Sequence, residues 1–199
     1  GVITLLNIPF IQHKFSVAVA DELKNKLKTE VYIDRIDMGL FNRIIIDGIS
    51  LNDQDNKMML KASRISAKFN LREIMRGKIS IGSAQLFGFT ARLYKKSPKT
   101  KPNYQFIIDA LSSNKKGNSK PINLRINSLL LRRGNISYDE WFIPKTPQKF
   151  NIKHLGINHF NANISLKALN KDSLNISIRR MDFDEHSDFH LERLQMKVI

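Results

Sequence analysis

The chain contains no cysteine, which excludes disulfides and thiolate metal sites and leaves its redox compartment open. Carboxylates are scarce: 18 Asp and Glu stand against 33 Lys and Arg, a formal net charge of +15. Such an excess points to an anionic partner: nucleic acid, a lipid headgroup surface or an acidic protein. No stretch approaches the ~20 apolar residues of a membrane span. There is no Gly-rich phosphate loop and no Gly-x-Ser-x-Gly elbow. With no Cys nucleophile either, the expectation is a non-enzymatic protein without a cofactor. Motifs of the recognised nucleic-acid-binding folds are also missing, and Lys and Arg are spread over the whole chain. No nucleic-acid partner is therefore expected, although a basic nucleic-acid-binding domain stays an alternative on charge alone.

The five histidines are His13, His154, His159, His186 and His190. Two of them fall in Asp182-Phe-Asp-Glu-His-Ser-Asp-Phe-His190, which concentrates carboxylates and imidazoles. No zinc or calcium signature has this spacing, so the segment reads as a solvated hairpin turn and no metal site is expected.

What the chain does have is Ile, Leu and Phe, interleaved with Asn, Ser and Lys, a mixture suited to strands with one wet face. Residues 9–28 form the exception. Pro9 suits a first helical turn, and Phe10, Ile11, Phe15, Val19, Leu23 and Leu27 recur at helical spacing. This predicts an amphipathic helix, packed on a β core or lying on a membrane surface. After Thr29 the period becomes 2. Strands are expected around Val31 and Ile33, then over 43–51, 58–69, 78–94, 122–133, 134–142, 150–169, 173–183 and 189–199, with turns at 52–57, 170–172 and 184–188. Short helices are expected over 70–76, before Gly77, and over 104–112.

The run 78–94 is the longest. Fully extended it would reach on the order of 55 Å at ~3.3 Å per residue, so a bend at Gly82 or Gly88 is expected unless the sheet is unusually wide. Its odd positions Ile79, Ile81, Phe87, Phe89 and Leu93 are apolar, while Lys78 and Arg92 are even and Leu86 is the main exception. Elsewhere the alternation slips. Leu174, Ile176 and Ile178 give way to Met181 and Phe183; Phe150 and Ile152 to Leu155 and Ile157; Phe189 and Leu191 to Leu194 and Met196. A one-residue slip reverses the apolar face unless a bulge absorbs it, and bulges bend a sheet. The expected fold is mainly β: a curved antiparallel meander with an N-terminal helix and short helical interruptions.

The order of segments resembles the TamB/AsmA-like family. The likeness rests on the amphipathic helix, then Asn42-Arg-Ile-Ile-Ile-Asp-Gly-Ile-Ser-Leu-Asn-Asp53, then Ile65-Ser-Ala-Lys-Phe-Asn-Leu-Arg-Glu-Ile-Met-Arg-Gly-Lys-Ile-Ser-Ile81, a further strand over 86–94, and Asn103-Tyr-Gln-Phe-Ile-Ile-Asp-Ala-Leu111. It covers residues 5–135; beyond them only strand character matches. Both termini read as cut from something longer. Residues 1–28 are expected to hold the end of a membrane anchor and the amphipathic helix, and residues 29–199 the start of a periplasmic β-groove.

The resemblance implies anchoring in the inner membrane and phospholipid passing along an apolar groove toward the outer membrane. It further implies a TamA-like outer-membrane barrel as partner, which leaves a scaffold role in protein translocation as an alternative. No catalytic residues come with the family. The side chains expected to face lipid are Ile79, Ile81, Phe87, Phe89, Leu93, Ile164, Leu166, Ile176 and Ile178, with Lys78, Arg92 and Lys167 facing water or headgroups.

Overall fold

A computed structural model describes residues 9–39, 42–69, 80–112, 125–146, 149–170 and 173–198. Helix α1 (Pro9–Leu27) precedes strands β1 (Val31–Gly39), β2 (Arg43–Asn52), β3 (Met58–Phe69) and β4 (Ser80–Lys95). Helix α2 (Gln105–Ser112), the two-residue β5 (Arg125–Ile126), β6 (Ser128–Glu140), β7 (His154–Asn170), β8 (Ser173–Glu185) and β9 (His190–Val198) follow. The expected helix over 70–76 lies outside the described residues.

The strands form one sheet in the order β1-β2-β3-β4-β6-β7-β8-β9, with β5 beside the start of β4. β1 and β9 are its two edges and do not pair, so the sheet is open. The mainly β class is as expected, but the sheet is not wholly antiparallel. β4 and β6 run parallel over Ala84/Leu129 to Lys95/Glu140. A parallel pair cannot be closed by a hairpin and needs a long crossover, which here contains α2.

Two further boundaries differ. The runs over 122–133 and 134–142 are largely one strand, because β6 passes through Arg133 without ending. β7 starts at His154, so Phe150 and Ile152 belong to the preceding loop.

Helix α1 lies against β1. Ser16 and Ala20 are buried, and Val19, Leu23 and Leu27 pack with Val31, Ile33, Ile36, Leu51 and Met59. Lys24 and Lys26 in its last turn complement the helix dipole, and Lys28 closes it in a left-handed conformation (φ 56°). Tyr104 and, from α2, Phe106 and Ile107 join the same cluster. The helix-on-core alternative for residues 9–28 is thus the observed packing.

The slips in alternation line up. Gly48 (φ 58°), Gly88 (φ 57°), Arg133 (φ 52°) and His159 (φ 52°) are left-handed residues in the interiors of β2, β4, β6 and β7. Asp34, Gly48, Ser63, Gly88 and Arg133 fall in one line, between the paired rows that start at Ile33/Ile49 and at Arg35/Asp47. Register shifts at Ile178/Met181 and Met181/Phe183 do the same for β8 and β9. Each such residue turns its strand over once, so an apolar position on one side of the line and an apolar position of opposite parity beyond it share a face. Of Gly82 and Gly88, where a bend is expected, Gly88 carries the left-handed backbone.

Glycine is required at two of these places. A Cβ at Gly48 would stand 1.7 Å from Asp34 Oδ2, besides being strained by its φ. At Gly88 it would stand 2.8 Å from Ser63 Oγ, which hydrogen-bonds the Gly88 carbonyl at 3.2 Å.

Candidate functional site

Because the turnovers coincide, directly paired residues form apolar rows across the sheet. One row runs Met38, Ile44, Ala67, Ala84, Leu129, Ile164, Ile178, Met196. The next runs Ile36, Ile46, Ile65, Leu86, Leu131, Ala162, Met181, Leu194. Every position of both rows is apolar from edge to edge. Seven strand spacings of ~4.8 Å give the rows a length of about 34 Å. Paired residues of a sheet share a face, so each row is a continuous strip of side-chain contact.

Helices α1 and α2 pack near the β1 end, on Ile44, Ile46, Met59, Leu60 and Leu93 among others. Among the described residues, the cluster holding Ile65, Leu86, Leu131, Ile164 and Met181 is built from strand residues. Most of the two rows is half-buried; Ala162 is fully buried and Met196 is 45% exposed.

The opposite face is polar. Asp47 accepts from Arg64 Nε at 2.5 Å and from Arg35 Nη2 at 2.9 Å, and the Arg64 bond above all holds its carboxyl below the usual carboxylate range. Asp47 and Arg64, with Ser63, Ser66, Gln85 and Phe87, line a cleft of about 420 Å³. Phe87 therefore leaves the expected lipid-facing set. It is 42% exposed under the Arg133 guanidinium, 5.3 Å from its ring, while Phe89 is 4% exposed on the other face. The left-handed Gly88 between them separates two residues that simple alternation would unite.

Of the remaining expected residues, Ile164 and Ile178 stand side by side in the first row. Ile176 follows two pairs further along β8, opposite Leu166, and is half-buried. Ile81 and Leu166 are placed by their backbone pairing in β4 and β7; their side chains lie outside the described ones. Ile79 and Lys78 lie outside the described residues, as does the Lys167 side chain. Leu93 packs on the helical cluster, and Phe89 is sealed in the core. Arg92 is exposed on the polar face, as expected.

Sequence reasoning missed Leu86, Leu131 and Leu129. Leu86 read as an exception to alternation because the turnover at Gly88 was not recognised, and β6 read as two strands.

A second polar constellation sits at the turn between β2 and β3. Asp53 is buried; its Oδ1 accepts from the backbone N–H of Asp55 and Lys57, both at 2.9 Å. Its Oδ2 lies 2.7 Å from the Tyr94 hydroxyl and 3.2 Å from Asn103 Nδ2. Burial pushes the Asp53 carboxyl up, but these hydrogen bonds together hold it below the ordinary range. Burial and the nearby carboxylates push the Tyr94 phenol strongly up. The constellation ties loops together: every donor and acceptor in it has a protein partner and none points at a reacting atom.

In the acidic turn, Asp184 is bracketed by His190 Nδ1 at 2.9 Å and His159 Nδ1 at 2.8 Å. Glu185 is buried against Ser187, His186 and the Gly156 N–H. Among the described residues no three His, Asp or Glu side chains converge in a metal-binding arrangement. Among them, too, no helix is long and apolar enough to cross a membrane.

Protein-family models and curated protein sequences offer no match to this chain.

Proposed function

We propose that this protein is a non-enzymatic carrier of phospholipid, in which acyl chains slide along the two apolar rows of the open sheet. The observation that carries the reading is the unbroken apolar character of sixteen directly paired positions over eight strands. A single sheet normally buries its apolar face under a second layer. Among the described residues, the cluster around Leu86, Leu131 and Ile164 has no helical member to supply one. An acyl chain laid there would gain about 0.8 kcal/mol per buried CH₂. Contacts of this kind are individually weak and nondirectional, so they give no deep trap along the row.

The order of motifs that resembles the TamB/AsmA-like family supports the same reading. It adds the expectation of a periplasmic setting between inner and outer membrane, with a TamA-like barrel as partner. The net charge of +15 suits the phosphate headgroups that would travel beside the sheet.

The test is native mass spectrometry of the protein purified without detergent, for co-purified phospholipid. Ile164→Asp places a charge inside the first row, where an unpaired carboxylate in an apolar setting is costly. It should abolish the lipid load while circular dichroism stays that of a β protein. Arg92→Asp, on the polar face, should leave the load unchanged. An equal lipid load in a folded Ile164→Asp protein would refute the proposal.

A further inference from the structure

The polar face of the sheet carries a cleft that the apolar rows leave unused. One directly paired row crosses this face as Arg35, Asp47, Arg64, Phe87 and Arg132, from β1 to β6. Ser66 and Gln85 pair in the next row. The cleft over β2 to β4, about 420 Å³, falls within the ~300–1,000 Å³ of small-molecule sites.

Its walls offer both donors and acceptors. Ser66 is buried, and its hydroxyl oxygen accepts from Arg43 Nη1 at 2.6 Å, which leaves the hydroxyl proton to give. Gln85 is exposed, and its amide has no hydrogen-bond partner among the described residues. Asp47 is fixed between Arg35 and Arg64. Among the described residues its Oδ1 accepts from Arg64 Nε alone, which leaves that oxygen a lone pair.

At the β6 side of the cleft the charge changes. Phe87 is 42% exposed there. Leu131 belongs to the apolar rows, and Gly134 lies against the Phe89 ring on the same side of the sheet. The two residues between them, Arg132 and left-handed Arg133, therefore both turn to the polar face. The Arg133 guanidinium lies 5.3 Å from the centre of the Phe87 ring, and the Arg133 N–H bonds Asn161 Oδ1 at 3.1 Å. Arg132 Nη1 bonds the Leu131 carbonyl at 3.3 Å. Among the described residues neither guanidinium has a carboxylate partner. The acids of this face are taken or distant. Asp37 and Asp47 pair with arginines, Asp182 with Arg180 and Asn161, and Asp184 with His159 and His190. Exposed Asp34 and Glu192 stand on the edge strands β1 and β9.

We propose that this cleft binds a saccharide that bears an oxyanion, a phosphate or a carboxylate. Its hydroxyls meet Asp47, Ser66 and Gln85, the C–H face of its ring meets Phe87, and its oxyanion meets Arg132 and Arg133. A sugar hydroxyl donates and accepts at once, as these walls require. An aromatic ring offers an apolar surface to C–H groups, and guanidinium forks match phosphate and carboxylate oxygens. Asp47 selects against a nucleic-acid strand or an acidic peptide, whose repeated charges would have to pass a fixed carboxylate. The proposal does not rest on the lipid-carrier reading, whose rows occupy the opposite face.

Titration calorimetry on the whole chain tests it, with glucose 6-phosphate and glucuronic acid as probes. Both should bind more tightly than glucose or inorganic phosphate. The double variant Arg132→Gln/Arg133→Gln should bring both probes down to the affinity of glucose. That is a loss of about tenfold or more, the scale of a hydrogen bond to a charged group. Gln85→Ala, at an exposed position, should weaken glucose and glucose 6-phosphate by the same factor, because it acts on the ring and not on the oxyanion. Arg92→Gln, an exposed arginine further along β4, should bind as wild type, and circular dichroism should show every variant folded. Inorganic phosphate binding as tightly as glucose 6-phosphate would reduce the cleft to a patch of charge. A thymidine oligonucleotide binding more tightly than either probe at physiological salt would reassign it to nucleic acid. No binding of either probe, or a folded double variant that binds as wild type, would equally overturn the proposal.

Discussion

The far end of the Phe89 ring fills the space beside Gly134, its directly paired neighbour on β6: a Cβ built there would stand 2.2 Å from Cζ. The glycine leaves the space and the ring covers the backbone that a missing side chain would expose, at the parallel pairing of β4 with β6. Phe89 is 4% exposed and also contacts Phe160, so its ring has nowhere to go. Gly134→Ala should therefore destabilise the fold by about 1–3 kcal/mol, as overpacked cores do. Chemical denaturation of the variant would measure it, and a loss under about 0.5 kcal/mol would contradict the account.

Gly88 calls for a different substitution. Alanine there meets two penalties, the left-handed backbone and the contact with Ser63 Oγ, and should cost about 1–3 kcal/mol. Adding Ser63→Ala removes the contact but not the strain, so the double variant should recover part of the loss. Asn, which tolerates the left-handed region, should cost less than Ala. If Gly88→Ala were as stable as wild type, the turnover line would not be a requirement of the fold.

Acid should weaken the protein through Asp53 and Glu185. Both are pushed up by burial, yet both are held below their ordinary range by hydrogen bonds, Asp53 from Lys57, Tyr94 and Asn103, Glu185 from Ser187 and Gly156. A carboxyl whose folded pKa lies below its unfolded value contributes stability that is complete above the unfolded value and is lost as pH falls through the folded one. The loss should thus begin near pH ~4 and deepen below it. Thermal melts from pH 7 to pH 2.5 would show it, and Asp53→Asn should flatten the curve. An undiminished melting temperature at pH 2.5 would rule this out.

Tyr94→Phe keeps the stack on Trp141 and removes the hydroxyl that lies 2.7 Å from Asp53 and 2.6 Å from Asp55. Asp53 retains its two backbone bonds and Asn103. The expected cost is about 1.5–3 kcal/mol, the scale of a hydrogen bond to a charged acceptor. A loss beyond about 4 kcal/mol would mean the hydroxyl organises more than this turn.

Local pattern made much of the fold legible. Pro9 and the 3.6-residue spacing marked a helix that runs Pro9–Leu27, and the third apolar alternation marked a strand that runs Met58–Phe69. The slip from Ile178 to Met181 was visible too. Its alignment with Gly48, Gly88, Arg133 and His159 was not, because pairing between strands leaves no trace in either strand alone. Arg133 shows why β6 read as two runs: an arginine in the left-handed region carries no mark of its own, unlike glycine. Phe87 was assigned to the wrong face for the same reason, one residue from Gly88. The candidate site was half legible: Ile164 and Ile178 were named, while Leu86, Leu129 and Leu131 emerge only once β4 and β6 are seen to run parallel.

That parallel seam divides the sheet into two hairpin stacks, β1 to β4 and β6 to β9. Each strand touches only its neighbours, so order spreads through either stack like a zipper, one adjacent pair stabilising the next. Within a stack the partners are close in sequence and find each other quickly; across the seam they are held apart by the long crossover containing α2. The two stacks are thus units that can form early and separately, and the docking of Phe89 onto Gly134 becomes the late event that makes one sheet of them. Amide exchange would then sort the backbone by stack rather than by distance from either end, with β4 and β6 losing protection together.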